Sequence, residues 1–248
     1  MIDVERVDFV AIPVSDLARA DDFYGNTLGL ARNPNTSGER WVEYETPNVT
    51  FALSMFGGTI ALRVSDVAEA RRGLEEAGIE FAMDTFDSGV CHGAPFTDPD
   101  GNHLLLHRRY APLDDWKAPP TEIERTDFAM IVTKDKERAL RFYEETLGLA
   151  RQPNAHEDWP ELETGNLTIS VVGYEQIGRD EFEPNSGAVS LRVPDVAATR
   201  ERLEDAGVEF RGETMDSGVC HLAVFTDPDG NRVFAHRRYA PYADGTTP

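Results

Sequence analysis

An α+β fold of four βαβββ modules, grouped as two tandem copies, is what this 248-residue sequence predicts, and three observations predict it. The first is self-similarity. Phe9-Val10-Ala11-Ile12 returns as Phe128-Ala129-Met130-Ile131, and Thr27-Leu28-Gly29-Leu30-Ala31-Arg32 returns as Thr146-Leu147-Gly148-Leu149-Ala150-Arg151. A fixed long period marks a duplicated unit. The second is a weaker repeat inside each copy, of strand, Asp, helix and Gly. The third is the stretch Asp98-Pro99-Asp100-Gly101-Asn102, recurring as Asp227-Pro228-Asp229-Gly230-Asn231. Pro fixes φ early in that stretch and Gly supplies a positive φ late, so it joins two antiparallel strands.

Taken in order, Val7 to Val14 alternates apolar and β-branched residues and predicts the first strand. Asp16 stands where an N-cap belongs, and Leu17, Ala20, Phe23, Tyr24 and Leu28 recur at helical spacing up to Gly29. Trp41 to Thr46 and Val49 to Met55 read as strands. Ile60 to Val64 opens the second module, where Asp66 caps a helix carrying Val67, Ala70, Leu74 and Ala77 before Gly78. A strand ending at Thr97 and another from His103 to Arg108 flank the turn. Asp135 and Asp195 are the matching caps of the second copy. That copy carries about eleven additional residues around Gly178 to Asn185, and with Glu175, Asp180, Glu181 and Glu183 these read as an exposed acidic loop. The expected domains are 1–113 and 122–248, joined at 114–121 by a stiff linker containing Pro119-Pro120.

Composition narrows the function. Lys and Arg number 24 against 45 Asp and Glu, for a net charge of −21, a field that repels nucleic acids and anionic membranes. Hydrophobic residues make up 40%, enough for a folded core and too many for an acidic disordered tail. Lys occurs only at Lys117, Lys134 and Lys136, and the acid-rich, lysine-poor surface suggests adaptation to salt. The two cysteines, Cys91 and Cys220, occupy equivalent places of the repeat, which indicates a reducing compartment rather than a disulfide framework. The N-terminus has no signal-peptide apolar region and no run approaches a membrane span, so the expected location is the cytoplasm.

The first strand with Asp16, Phe23-Tyr24, Leu28-Gly29-Leu30, the strand and helix around Asp66 and Gly78, and Asp98 to Asn102, all seen twice, resemble the vicinal oxygen chelate superfamily. That group includes glyoxalase I, bleomycin-resistance proteins, fosfomycin-resistance enzymes and extradiol dioxygenases. The resemblance implies two tandem domains with curved mixed sheets, each forming a cleft. It also implies metal-ligand positions on three strands of a copy, which here carry Phe9, Thr59 and Leu105, or Phe128, Ala188 and Phe234. None offers an imidazole or a carboxylate, so no cofactor is expected and a divalent metal is disfavoured.

Strand alternation adds the residues that share a face with those positions. They include Arg63, His103 and His107 in the first copy, and Arg192, Arg232 and His236 in the second. The clefts read as apolar with an Arg and a His as polar handles, suited to a small aromatic or lipophilic anion. Trp41 and Trp159 can stack on a planar ligand or pack on the sheet. Cys91 and His92, with Cys220 and His221, depend on register. If Asp98 pairs with Asn102, Cys91 shares the face of His107; one residue of slip instead brings His92 to His107, as a two-His site with Glu43 or, in the other copy, Glu161. Both alignments stand at this level, as does the plain reading of the cysteines as small buried hydrophobes. A Cys-His nucleophilic pair stands too, although Cys91 and His92, strand neighbours on opposite faces, cannot form it with each other.

Three functions follow. The first is a metal-free protein binding a small apolar or aromatic molecule, as a monomer or homodimer, the monomer preferred because the tandem supplies both halves of the module pairing. The second is a lyase, isomerase or dioxygenase with a divergent metal site built from His92, His107, His221 and His236, or a metal-free acid-base catalyst using His107 or His236. The third is a scaffold whose clefts are closed by Phe9, Leu105, Phe128 and Phe234.

Overall fold

Among the described residues, alternating apolar and polar residues build fifteen strands in two sheets. The computed structural model describes residues 2–112, 115–153, 157–185 and 187–241, so the end of the expected first domain, at 113, and the start of the expected linker, at 114, lie outside them. In the first copy β1 (Val4–Pro13), β2 (Trp41–Glu45), β3 (Thr50–Ser54), β4 (Thr59–Val64), β5 (Phe86–Asp87), β6 (Cys91–Thr97) and β7 (His103–Arg109) form one sheet in the order β2-β3-β1-β4-β7-β6-β5. In the second, β8 (Arg125–Thr133), β9 (Ala150–Arg151), β10 (Glu161–Glu163), β11 (Thr168–Gly173), β12 (Ala188–Arg192), β13 (Phe210–Asp216), β14 (Cys220–Thr226) and β15 (Arg232–Arg238) follow β13-β14-β15-β12-β8-β11-β10-β9. Both sheets are mixed: β4 runs parallel to β7 and antiparallel to β1, and β12 repeats this with β15 and β8. The α+β class and the tandem modules are as the sequence predicts.

All four predicted caps form. Asp16, Asp66, Asp135 and Asp195 accept from the backbone N–H three residues on, opening α1 (Leu17–Asp21), α2 (Val67–Glu76), α3 (Lys136–Arg141) and α4 (Val196–Asp205). The long first helix predicted up to Leu28 does not stay α-helical. It widens into a π turn at Asp22–Thr27, and the second copy does the same at Phe142–Thr146. Such a turn adds a residue that helical spacing cannot reveal. The strand after it, absent from the sequence reading, is the two-residue β9 in the second copy and a single bridge, Arg32 to Tyr44, in the first.

Packing divides the chain into two compact units, each drawn from both copies: Met1–Ala11, Gly58–Trp116 and Met130–Gly187 in one, Ile12–Gly57, Lys117–Ala129 and Ala188–Pro248 in the other. In the first unit the Tyr143 hydroxyl donates to Asp98 at 2.9 Å, Asn102 donates to the Val132 carbonyl at 2.8 Å, and Asn166 bonds both backbone groups of Val7. The second unit repeats the pattern: Tyr24 donates to Asp227 at 3.0 Å, Asn231 to the Pro13 carbonyl at 2.8 Å, and Asn48 bonds both backbone groups of Thr126. The Asp-Pro-Asp-Gly-Asn turn of each copy is thus a docking element for the first module of the other. The acidic insertion follows a short 3-10 turn, Tyr174–Ile177, and is largely exposed. Asn185 brings it to the first copy's turn, donating to Asn102 and accepting from the His103 N–H, both at 2.7 Å.

Candidate functional site

One extra residue in each first strand creates the site. On β1, Val7 faces Leu62 and Phe9 faces Ala61, leaving Asp8 without a partner on β4. On β8, Thr126 faces Leu191 and Phe128 faces Ser190, leaving Asp127 in the same position. A bulge of this kind re-aims side chains that strict alternation would send to opposite faces. As a result both Asp8 and Phe9 reach His107: Asp8 Oδ2 lies 2.6 Å from His107 Nδ1, and the Phe9 ring meets the imidazole edge-on at 5.4 Å. In the second unit Asp127 Oδ2 lies 2.6 Å from His236 Nδ1, with the Phe128 ring at 5.7 Å.

Register settles the position of the cysteines. The Asp98 N–H donates to the Asn102 carbonyl at 2.9 Å, so β6 and β7 pair Gly93 with His107 and Cys91 with Arg109. Cys91 therefore shares the face of His107, whose imidazole acts on the thiol, and its sulfur lies 3.1 Å from Ser88 Oγ. In the second copy Leu222 faces His236 and Cys220 faces Arg238, so Cys220 shares the face of His236, and its sulfur lies 3.1 Å from Ser217 Oγ. The alternative pairing of His92 with His107, or of His221 with His236, is not formed. His92 and His221 sit on the opposite face, against Asp87 at 3.5 Å and Asp216 at 3.6 Å, with Tyr110 and Tyr239 rings at 4.9 Å.

Each site is thus a chain of carboxylate, imidazole and thiol. With Nδ1 held by the carboxylate, Nε2 is the ring atom left for the sulfur. Asp8 is also paired with Arg63 at 2.7 Å and Arg6 at 3.1 Å, and Asp127 with Arg192 at 2.9 Å and Arg125 at 3.5 Å. A buried carboxylate is tolerable only when compensated in this way. Burial works to raise the Asp8 carboxyl, but the His107 bond and the charges of His107 and Arg63 outweigh it and hold Asp8 below the usual carboxylate range. Burial likewise works to lower the imidazoles, but the bonds to carboxylate and thiol push His107 and His236 up to about 9. For Cys91 and Cys220 burial works upward, while the bonds from His and Ser and the nearby His and Arg charges bring both thiols below their ordinary value.

The positions at which the resemblance places metal ligands lie in the next rows of the same face. Phe9, Ala61 and Leu105 stand side by side across β1, β4 and β7, as do Phe128, Ser190 and Phe234 across β8, β12 and β15. Thr59 spends its hydroxyl on the His103 carbonyl at 3.2 Å, and Ala188 has none. A divalent cation finds no donor set there, and among the described residues no group of three His, Cys, Asp or Glu side chains could hold a metal ion. His103 is exposed at the start of β7, and Arg232 is buried at the start of β15. Trp41 donates to Glu43 at 2.7 Å in the second unit, and Trp159 lies half-buried in the first. Asp8, Asp127, Ser88 and Ser217 escaped the sequence reading. Their signal was the repeated Asp-Phe pair and the repeated Asp-Ser-Gly-Val-Cys-His run.

The two faces of the last strands differ in closure. Leu104 and Leu106 are 0% exposed, whereas Leu105 and His107 keep 8% and 7%; Val233 is 0% exposed, whereas Phe234 and His236 keep 6% and 8%. One face is fully sealed, and the face carrying the site, though also buried, keeps a few per cent of exposure.

Paired βαβββ modules with side-by-side first strands, in two tandem copies, define a glyoxalase- and dioxygenase-type fold. The family model of the Glyoxalase/Bleomycin resistance protein/Dioxygenase superfamily matches residues 6–106 and 125–234. The chain belongs to that superfamily. Among solved structures it is similar to the Mn(II)-bound glyoxalase from Novosphingobium aromaticivorans, with 15% identity and TM-score 0.67, covering 100% of this chain and 91% of that one. It is similar to homoprotocatechuate 2,3-dioxygenase from Arthrobacter globiformis, with 18% identity and TM-score 0.69, covering 99% and 84%. It is also similar to the 2,3-dioxygenase LapB from Pseudomonas sp. KL28, with 14% identity and TM-score 0.67, covering 98% and 96%. These likenesses concern the fold. Comparison with the curated proteins finds no match.

Proposed function

We propose that this chain is a metal-independent member of the superfamily that binds a small apolar or aromatic molecule beside His107, beside His236, or at both. The observation that supports it is that Phe9 and Leu105, or Phe128 and Phe234, occupy the positions where the resemblance places metal ligands, on the sheet face that keeps residual exposure. Arg63 and Arg192 were the sequence-level handles for an anion. Both are committed to buried carboxylates, which favours an uncharged ligand with one polar group able to bond an imidazole.

The test combines two measurements on protein purified without chelator. Metal analysis should find iron, manganese, zinc and nickel well below one equivalent, and 1-naphthol should raise the melting temperature in a dose-dependent way that 1-naphthoate does not match. Stoichiometric metal, or no stabilisation by 1-naphthol, overturns the proposal. Phe128→Ala should diminish the naphthol effect if the second site takes part.

A further inference from the structure

The geometry points to Cys91 and Cys220 as nucleophiles, each set by a His-Asp pair, that capture an uncharged activated alkene such as an α,β-unsaturated carbonyl compound. This goes beyond the binding proposal, since a molecule can occupy the site without reacting. Three observations carry it. Register places Cys91 and His107 on one face, and Cys220 and His236 on one face. The bulged Asp8 and Asp127 fix Nδ1 of each imidazole at 2.6 Å, orienting the ring as a carboxylate does in nucleophile-base pairs. Each cysteine is half-buried, so its sulfur is neither sealed in the core nor loose at the surface. The same three-residue chain occurs twice in different compact units, each time with an apolar ring beside the imidazole.

The charged groups around the first sulfur are His107 and Arg109 on β7, Asp8 on β1 beyond the imidazole, and Arg63 on β4 paired with Asp8; Ser88 supplies a neutral hydroxyl. Such a setting favours thiolate with imidazolium over thiol with imidazole. In the capture step a sulfur lone pair forms a bond to the β-carbon of the alkene. The C=C π pair moves to the α-carbon, and that carbon takes the Nε2 proton of His107. A neutral thioether and a neutral imidazole bonded to Asp8 result, and the reverse elimination returns thiolate and imidazolium. No oxidant or further reactant is consumed. A soft sulfur nucleophile suits a soft, uncharged carbon electrophile.

The probe is N-ethylmaleimide, itself an activated alkene, applied to the intact chain from pH 6 to 8, with the labelled peptides located by mass spectrometry. Both cysteines should react at pH 7 at least about tenfold faster than in the same chain unfolded in urea, with a shallower dependence on pH. His107→Gln should restore the steep pH dependence of an ordinary thiol at Cys91 and leave Cys220 unchanged, and Asp8→Asn should shift the Cys91 profile in the same direction. Labelling at pH 7 no faster than in urea overturns the inference, whether or not the variants fold. So does a folded His107→Gln protein with an unchanged Cys91 profile. A Cys91→Ser/Cys220→Ser protein still stabilised by 1-naphthol, alongside an unreactive wild type, leaves the binding proposal standing and removes this one alone.

Discussion

At the scale of single residues, the arrangement turns on the carboxylates of Asp8 and Asp127. They hold a proton on His107 and His236, whose titration moves from the ordinary imidazole value near 6.5 to about 9. A raised folded-state value contributes stability in full below 6.5 and loses it as pH rises through about 9. The lowered cysteine works in the opposite sense, contributing above its unfolded value and losing that contribution as pH falls through the folded one. The two slopes oppose each other near neutrality, so bulk stability is a poor reporter of the site. Imidazole NMR is a direct one. His107 and His236 should hold their protons to about pH 9, and Asp8→Asn should lower the His107 midpoint while leaving His236 where it was; equal movement of both, or of neither, contradicts the assignment. On the acid side Asp8, held below its ordinary value, contributes stability above pH 3.8 that is lost as pH falls through its folded value.

At the scale of elements, the turn motifs do more than reverse the chain. Asp98 is 4% exposed and accepts from the Asp100 and Asn102 N–H groups, from Asn102 Nδ2 and from Tyr143. Removing the phenol oxygen leaves this buried acceptor one donor short, which costs about 1–3 kcal/mol. Tyr143→Phe should therefore lower the melting temperature by roughly 2–4 °C for each kcal/mol lost, as calorimetry would show. A change smaller than the experimental scatter would mean that water takes over the donation. This contact also marks how far the sequence could be read. Caps, strands and turns were legible because each rests on local chemistry, such as Asp16 accepting from the third N–H or Gly101 adopting a positive φ. The union of Tyr143 with Asp98, or Tyr24 with Asp227, joins motifs of different copies and leaves no trace in either copy's periodicity. The same holds for Asp8: alternation assigns it to the face opposite Phe9, and only the bulge between Val7 and Phe9 brings both to His107. The cysteine register was legible as a pair of alternatives, which the Asp98-Asn102 turn bond decides.

For the whole molecule, the charge of −21 makes a prediction independent of the site. Two effects of salt compete. Screening weakens attractive surface pairs such as Arg71 with Glu75 and Arg200 with Glu204, but exposed pairs of this kind contribute only about 0–1 kcal/mol each. Screening also relaxes the mutual repulsion of the excess carboxylates, a sum over the entire surface that grows with net charge. The buried pairs of Asp8 and Asp127 are partly shielded from this exchange, because low exposure keeps counterions away. With nearly two acidic residues for every basic one, the repulsive sum exceeds the loss of isolated pairs. Raising KCl from about 0.05 M to about 1 M shortens the screening length from over 10 Å to about 3 Å, and the melting temperature should climb with it. Potassium glutamate should act in the same direction, since the effect is one of ionic strength. A melting temperature that stays level or falls across that range would show that paired surface charges, and not the net charge, dominate the electrostatics of this fold.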